Sequence, residues 1–192
     1  MSLFKLRKTG GPRDLEVSMS GLKLGSKVLQ IEGTDSGLIA ALAKVVGLGG
    51  YACAVSADDA QAERFTRAAA TAGVLVEIKV SPLGKLPYDQ ESFDVVVIKD
   101  VIGEMCSHDR VPCLQQAYKV LRHGGRCLVI EQAMRAGLGA LFSRRAFDEQ
   151  YVAMGGALAA LKAEGFLGAR LLAERDGISF AEGIKQRHVW TS

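Results

Sequence analysis

The sequence predicts an α/β protein of the doubly wound class. Short apolar, β-branched runs recur along the chain, helical stretches alternate with them, and the last two runs are joined through Asp-Gly. Repeated strand–helix alternation places parallel strands in one sheet with helices on both faces, linked by right-handed crossovers. Asp-Gly between two strand patterns signals a hairpin, so the sheet is expected to end in an antiparallel pair. A length of 192 residues, 48% of them hydrophobic, suits one core. The expected organisation is an N-terminal arm over 1–26 and one domain over 27–192.

Taken in order, the arm carries the basic stretch Lys5-Leu6-Arg7-Lys8 before Gly10-Gly11-Pro12. It reads as a solvated, frayed terminus, with a partner-binding arm as the alternative. Strands are expected over 27–32, 51–55, 76–80, 94–99 and 126–131, short and apolar as in strands buried on both faces. A helix over 38–46 follows the first strand. Another over 58–72 follows the second, with Ser56 as N-cap and Asp58 and Asp59 complementing the helix dipole. The third connection is short. A helix over 111–121, beginning near Asp109, ends at His123-Gly124-Gly125, where glycine can take the left-handed C-cap conformation. Beyond residue 131 come a Gly-interrupted, basic-ended surface segment over 133–145, an Ala-rich helix over 148–164, and strands over 169–174 and 179–185. Phe147, Tyr151 and Met154, at helical spacing, read as core packing.

Composition removes several function classes. The net charge of +3 comes from 24 basic and 21 acidic residues without a long basic run after the arm, so nucleic acid is not indicated. The cysteines Cys53, Cys106, Cys113 and Cys127 form no CxxC pair and read as reduced thiols. Cys106, His108 and Cys113 lack a recurrent zinc spacing and a fourth ligand, so no metal is expected. No stretch approaches the roughly 18 apolar residues of a membrane span, and the first residues lack a signal-peptide core. A cytoplasmic protein is expected.

The first strand runs into Glu32-Gly33-Thr34-Asp35-Ser36-Gly37, a small-residue loop that opens a helix. Glycine lets such a loop turn sharply and approach a ligand, and the free N–H groups of the helix start point into the same space. Glu32 at its mouth would repel a phosphate. A nucleotide-like ligand without phosphates is therefore favoured, or none.

Three later segments carry a resemblance. Leu86-Pro87-Tyr88-Asp89-Gln90-Glu91-Ser92-Phe93-Asp94 resembles the approach to the fourth strand of class I S-adenosylmethionine-dependent methyltransferases of the ubiquinone/menaquinone-biosynthesis kind. Val120-Leu121-Arg122-His123-Gly124-Gly125 resembles their turn into the fifth strand, and the tail from Gly165 to Lys185 is similar to their closing hairpin. The resemblance implies a Rossmann-like sheet of seven strands in the order 3-2-1-4-5-7-6, the last antiparallel, with S-adenosylmethionine at the carboxyl ends of strands one and two. It also implies positions for the site. Gln30 falls where the family writes an acid, Glu32, Thr34 and Ser36 where it writes glycines, and Ala54 where an acid would grip the ribose. After the third strand only Ser81 and an apolar slot stand where an acid often meets the adenine. Cofactor contacts are expected at Glu32, Gly33, Thr34, Ala54, Val55, Leu83 and Lys99, with Asp100 and His108 on the substrate side.

Each feature has a plainer reading beside it. Asp100 could orient a nucleophile or act as a base, or could cap the next turn beside Lys99 in solvent. His108 could turn into the cleft or stay on the surface. Glu32 and Asp35 could attract a sulfonium, or close an unused crevice; the 133–145 segment could lid an acceptor site or dock a partner or membrane face. The function that follows is a methyltransferase acting on a small-molecule or protein acceptor that the chain does not name, its oligomeric state equally silent. The alternative is a non-catalytic scaffold that kept the sheet for protein contact. A nucleotide-type oxidoreductase would need a dinucleotide fingerprint that the loop lacks.

Overall fold

In the computed structural model, which describes residues 13–132 and 147–186, seven strands form one sheet in the order β3-β2-β1-β4-β5-β7-β6. The parallel strands are β1 (Lys27–Ile31), β2 (Tyr51–Ser56), β3 (Glu77–Val80), β4 (Phe93–Lys99) and β5 (Leu121–Gln132). The closing strands β6 (Leu167–Arg175) and β7 (Ile178–Ile184) are antiparallel to their neighbours. Asp176 and Gly177 both take positive φ, 54° and 77°, the conformation that a tight two-residue hairpin turn demands. Fold class, strand order and reversed final strand are thus as expected.

Alternation along the strands sorts the core into two layers. Val28, Ala52, Ala54, Val95, Val97, Leu128, Ile130 and Phe180 pack with α2 (Gly37–Val46) and Phe65 of α3 (Asp59–Ala72). Leu15, Val17 and Met19 of α1 (Asp14–Ser20) lie on the same side. Leu29, Cys53, Val96, Ile98, Cys127 and Val129 face the other way, against α4 (Ser107–Val120), α5 (Glu149–Ala153) and α6 (Gly156–Ala163). A residue at the end of a strand therefore points to a known layer, which decides the partners of Lys99 and Glu131 below.

The basic stretch at 5–8 that reads as a frayed terminus lies outside the described residues; after it, residues 14–20 are helical, with Glu16 and Ser20 buried against the domain. Several local expectations are corrected. Asp58, not Ser56, caps α3, accepting the Ala60 N–H at 3.1 Å; Ser56 is the last residue of β2. The fourth helix starts one turn earlier than expected because the Cys106 carbonyl accepts the N–H groups of Asp109 and Arg110 at 3.2 and 3.0 Å. It ends at Val120, and Gly124, with φ 73°, lies within β5 rather than at the helix C-cap. The single helix expected over 148–164 is two, broken where Gly155 and Gly156 take φ of 101° and 63°. That break leaves Met154 63% exposed, so of the proposed core trio only Tyr151 is fully buried. The surface segment expected over 133–145 lies outside the described residues.

Candidate functional site

The sheet order reverses between β1 and β4, because successive strands are laid to opposite sides of β1. A doubly wound sheet opens a crevice at the carboxyl ends of its strands at that point. Here its floor is the loop after β1. Glu32 and Gly33 take φ of 53° and 119°. The loop is tied inward at two points: Gln30 Nε2 donates to the Glu32 carbonyl at 2.9 Å and Gln61 Nε2 to the Gly33 carbonyl at 2.5 Å. A β-carbon at Gly33 would stand 3.0 Å from Gln30 Nε2 and 3.2 Å from Lys99 Cβ, so a side chain there would crowd both in addition to straining a backbone at φ 119°.

Glu32 does not project into solvent. Its Oε1 accepts from the Ser56 hydroxyl at 3.0 Å and the Ala57 N–H at 2.7 Å, while no hydrogen bond to Oε2 is present among the described residues. The parallel register Ile31↔Val55 brings this about by placing the end of β1 beside the end of β2. A carboxylate thus stands at the carboxyl end of β2, although β2 contributes none of its own. Ala54 and Val55 sit lower in the strand with their side chains wholly in the core, and Leu83 is likewise buried. Thr34 lies exposed at the loop tip.

Next to Glu32 lies a chain of alternating charges. Arg13 grips both oxygens of Asp35 at 2.6 Å, Lys99 Nζ lies 3.6 Å from Asp35, and the same Nζ donates to Glu16 Oε1 at 2.6 Å. Lys99 and Glu16 are only 6% and 5% exposed, so Lys99 is not the solvated residue that the plainer reading of Asp100 supposes; the alternation of β4 turns it toward α1. Asp35 Oδ1 also accepts the Gly37 N–H at 3.0 Å and so caps α2. Burial works against ionisation of Asp35, but Arg13, the Gly37 N–H and Lys99 outweigh it and hold the carboxyl below its ordinary range. Two buried acceptors in this neighbourhood, Glu16 Oε2 and Gln30 Oε1, meet no donor.

The rim of β4 and β5 forms the second half of the site. Asp100 takes φ 54° directly after β4, and its N–H donates to the Ile130 carbonyl at 2.9 Å. Beside it, Glu131 ends the apolar run of β5 and is buried. Its Oε1 accepts the Gly103 N–H at 2.8 Å and its Oε2 the Tyr151 hydroxyl at 2.6 Å, which pins the turn after β4 to α5. Burial raises the Glu131 carboxyl above its usual range, more than these two donors lower it. Arg110 stacks over the Tyr151 ring at 4.7 Å and donates to the Met105 carbonyl at 2.7 Å. His108 stands apart. Its side chain is 93% exposed and 3.1 Å from Asp109.

Residues 33–129 match the family model described as a methyltransferase domain. The chain belongs to that family. The ubiquinone/menaquinone biosynthesis C-methyltransferase of Idiomarina loihiensis is 27% identical over 117 residues, which are 60% of this chain and 46% of that protein. The Marinomonas sp. protein of the same name is 28% identical over the same shares. The chain therefore spans about half the length of these curated relatives. Among solved structures, a SAM-dependent methyltransferase from Aquifex aeolicus superposes with a TM-score of 0.70 at 19% identity, covering 91% of this chain and 94% of that one.

A methyltransferase domain of this class implies S-adenosylmethionine, a ligand with an ammonium, a carboxylate, a ribose diol and a sulfonium. The crevice suits such a group. Glu16 Oε2 and Gln30 Oε1 are buried acceptors in want of a donor, Glu32 Oε2 is open to a hydroxyl, and Arg13 and Lys99 are cations beside them. The sequence missed Arg13 and Glu16 because they fall in the arm, where no periodicity marks them. Glu131 had a visible signal: like Asp100, it is a carboxylate that closes an apolar strand run.

Proposed function

We propose that this chain is an S-adenosylmethionine-dependent methyltransferase, working in the cytoplasm, whose cofactor spans the carboxyl ends of β1, β2 and β4. The observation that supports it best is Glu32. One of its carboxylate oxygens is fixed by Ser56 and Ala57, and the other accepts a ribose hydroxyl where the resemblance expects an acid from β2. At the far end of the crevice, Arg13 and Lys99 receive the amino-acid carboxylate, while Glu16 and Asp35 receive the ammonium. The bound cofactor supplies an electrophilic methyl group on sulfur.

The protein contributes mainly position, which carries much of such a transfer. Asp100 faces the acceptor and aligns its nucleophilic atom, and Glu131 with Tyr151 holds the turn that carries it. Carbon methylation, the chemistry in the curated relatives' name, is the acceptor class proposed first. The test is calorimetry with S-adenosylhomocysteine, the demethylated cofactor. Saturable binding in the micromolar range is expected. No heat and no thermal stabilisation at millimolar ligand would sink the reading.

A further inference from the structure

On the outer face of α2 and α3 lies a groove of about 630 Å³ that shares only Arg13 with the residues proposed to hold the cofactor. Four cationic side chains line it: Arg13 at its mouth, Lys44 from α2, and Arg64 and Arg67 from α3. Its floor is made of small residues, Ala40 and Ala41 facing Ala68 and Ala72. Helical spacing produces this surface, since Gly37, Ala40, Ala41 and Lys44 share one face of α2, and Arg64, Arg67, Ala68 and Thr71 share one face of α3.

The charges there are not balanced. No carboxylate lines the groove among the described residues. Arg13 is held by Asp35, and Arg64 only loosely by exposed Asp58 at 3.8 Å. Arg67 is the one described arginine without an ion pair, every other facing a carboxylate, and Lys44 has none either. Like charges converging over a smooth floor repel one another until an anion sits between them.

We infer that this groove binds an oligophosphate chain, of the di- or triphosphate class. Guanidinium groups one helical turn apart, as Arg64 and Arg67 are, present paired donors to successive phosphoryl oxygens, with Lys44 as a point charge on the opposite wall. The lining argues against other anions. It holds no aromatic ring on which a nucleic-acid base could stack and no large apolar side chain to enter a bilayer. The face of α2 from Gly37 to Lys44 extends about 10 Å, room for a short phosphate chain.

The test is titration of the full chain with inorganic tripolyphosphate at moderate salt, followed by calorimetry. One-to-one saturable binding is expected, with orthophosphate markedly weaker. The variant Lys44→Gln/Arg67→Gln should bind about tenfold or more weakly, since two charge contacts are lost. Its melting temperature and its affinity for S-adenosylhomocysteine should be unchanged, which separates this site from the cofactor crevice. A control, Lys85→Gln/Lys162→Gln, removes the same charge elsewhere and should bind as the parent does. Absence of saturable heat, equal weakening in the control, or binding of single-stranded oligonucleotide or anionic vesicles that tripolyphosphate fails to displace would each overturn the proposal.

Discussion

Glu32 and Asp100 end neighbouring parallel strands, and both hold positive φ that a side chain rarely adopts. Such a conformation costs about 1–3 kcal/mol, and it persists where the surroundings over-determine it. At Glu32 the surroundings are Ser56, Ala57 and Gln30, all aimed at one residue. Glu32→Gln keeps this shape and removes the charge. It should leave the melting temperature nearly unchanged and weaken S-adenosylhomocysteine binding about tenfold or more, because hydrogen bonds to charged groups contribute about 1.5–3 kcal/mol. Equal affinity in calorimetry would remove Glu32 from the site. Tyr151→Phe tests the other rim. It takes one donor from buried Glu131 and should destabilise the fold by about 1–3 kcal/mol in urea titration.

Among the elements, α1 is held to the domain by one buried ion pair, Lys99–Glu16, and the surface-facing grip of Arg13 on Asp35. Breaking a buried pair by deleting one partner destabilises by about 3–5 kcal/mol, whereas replacing both with apolar residues is often neutral. Glu16→Ala should therefore fall in that range by chemical denaturation, and Glu16→Leu/Lys99→Met should recover most of the loss. The helix itself was not legible in the sequence, because seven residues are too few for a helical period to stand out. By contrast the β6–β7 hairpin was legible down to its turn, because Asp-Gly has few other uses between two strand patterns. The break between α5 and α6 fell between these cases. The glycines at 155 and 156 stand in an alanine-rich run whose helix propensity masks the break they impose.

For the whole molecule, the doubly wound class followed from strand–helix alternation and crossover rules, while the strand order came from the resemblance carried by the segments at 86–94, 120–125 and 165–185. The site was harder to read because its polar contacts cross between strands. Glu32 serves the end of β2, and Glu16 serves the end of β4, pairings that spacing along one segment does not reveal. Those same cross-connections set the response to acid. Burial opposes ionisation of Asp35 and Asp94, yet Arg13 and Gly37 N–H for the first, and Lys27 N–H and Arg122 for the second, hold both below the usual carboxylate range. Groups lowered in this way contribute stability above their unfolded pKa and lose it as pH falls through the folded one. Asp35→Asn/Asp94→Asn should be less stable than the parent at neutral pH, with the gap closing below about pH 4 in thermal melts.

Of the four thiols, Cys53, Cys113 and Cys127 are sealed in the core, and burial pushes the first two up to about 12 and the third higher still. Cys106 alone is exposed, just before α4. The folded chain is thereby a ready-made single-label protein: a maleimide dye should attach once under native conditions and four times in denaturant. Placed at the entrance to α4, beside the rim formed by β4 and β5, that dye would serve as an optical reporter of ligand arrival.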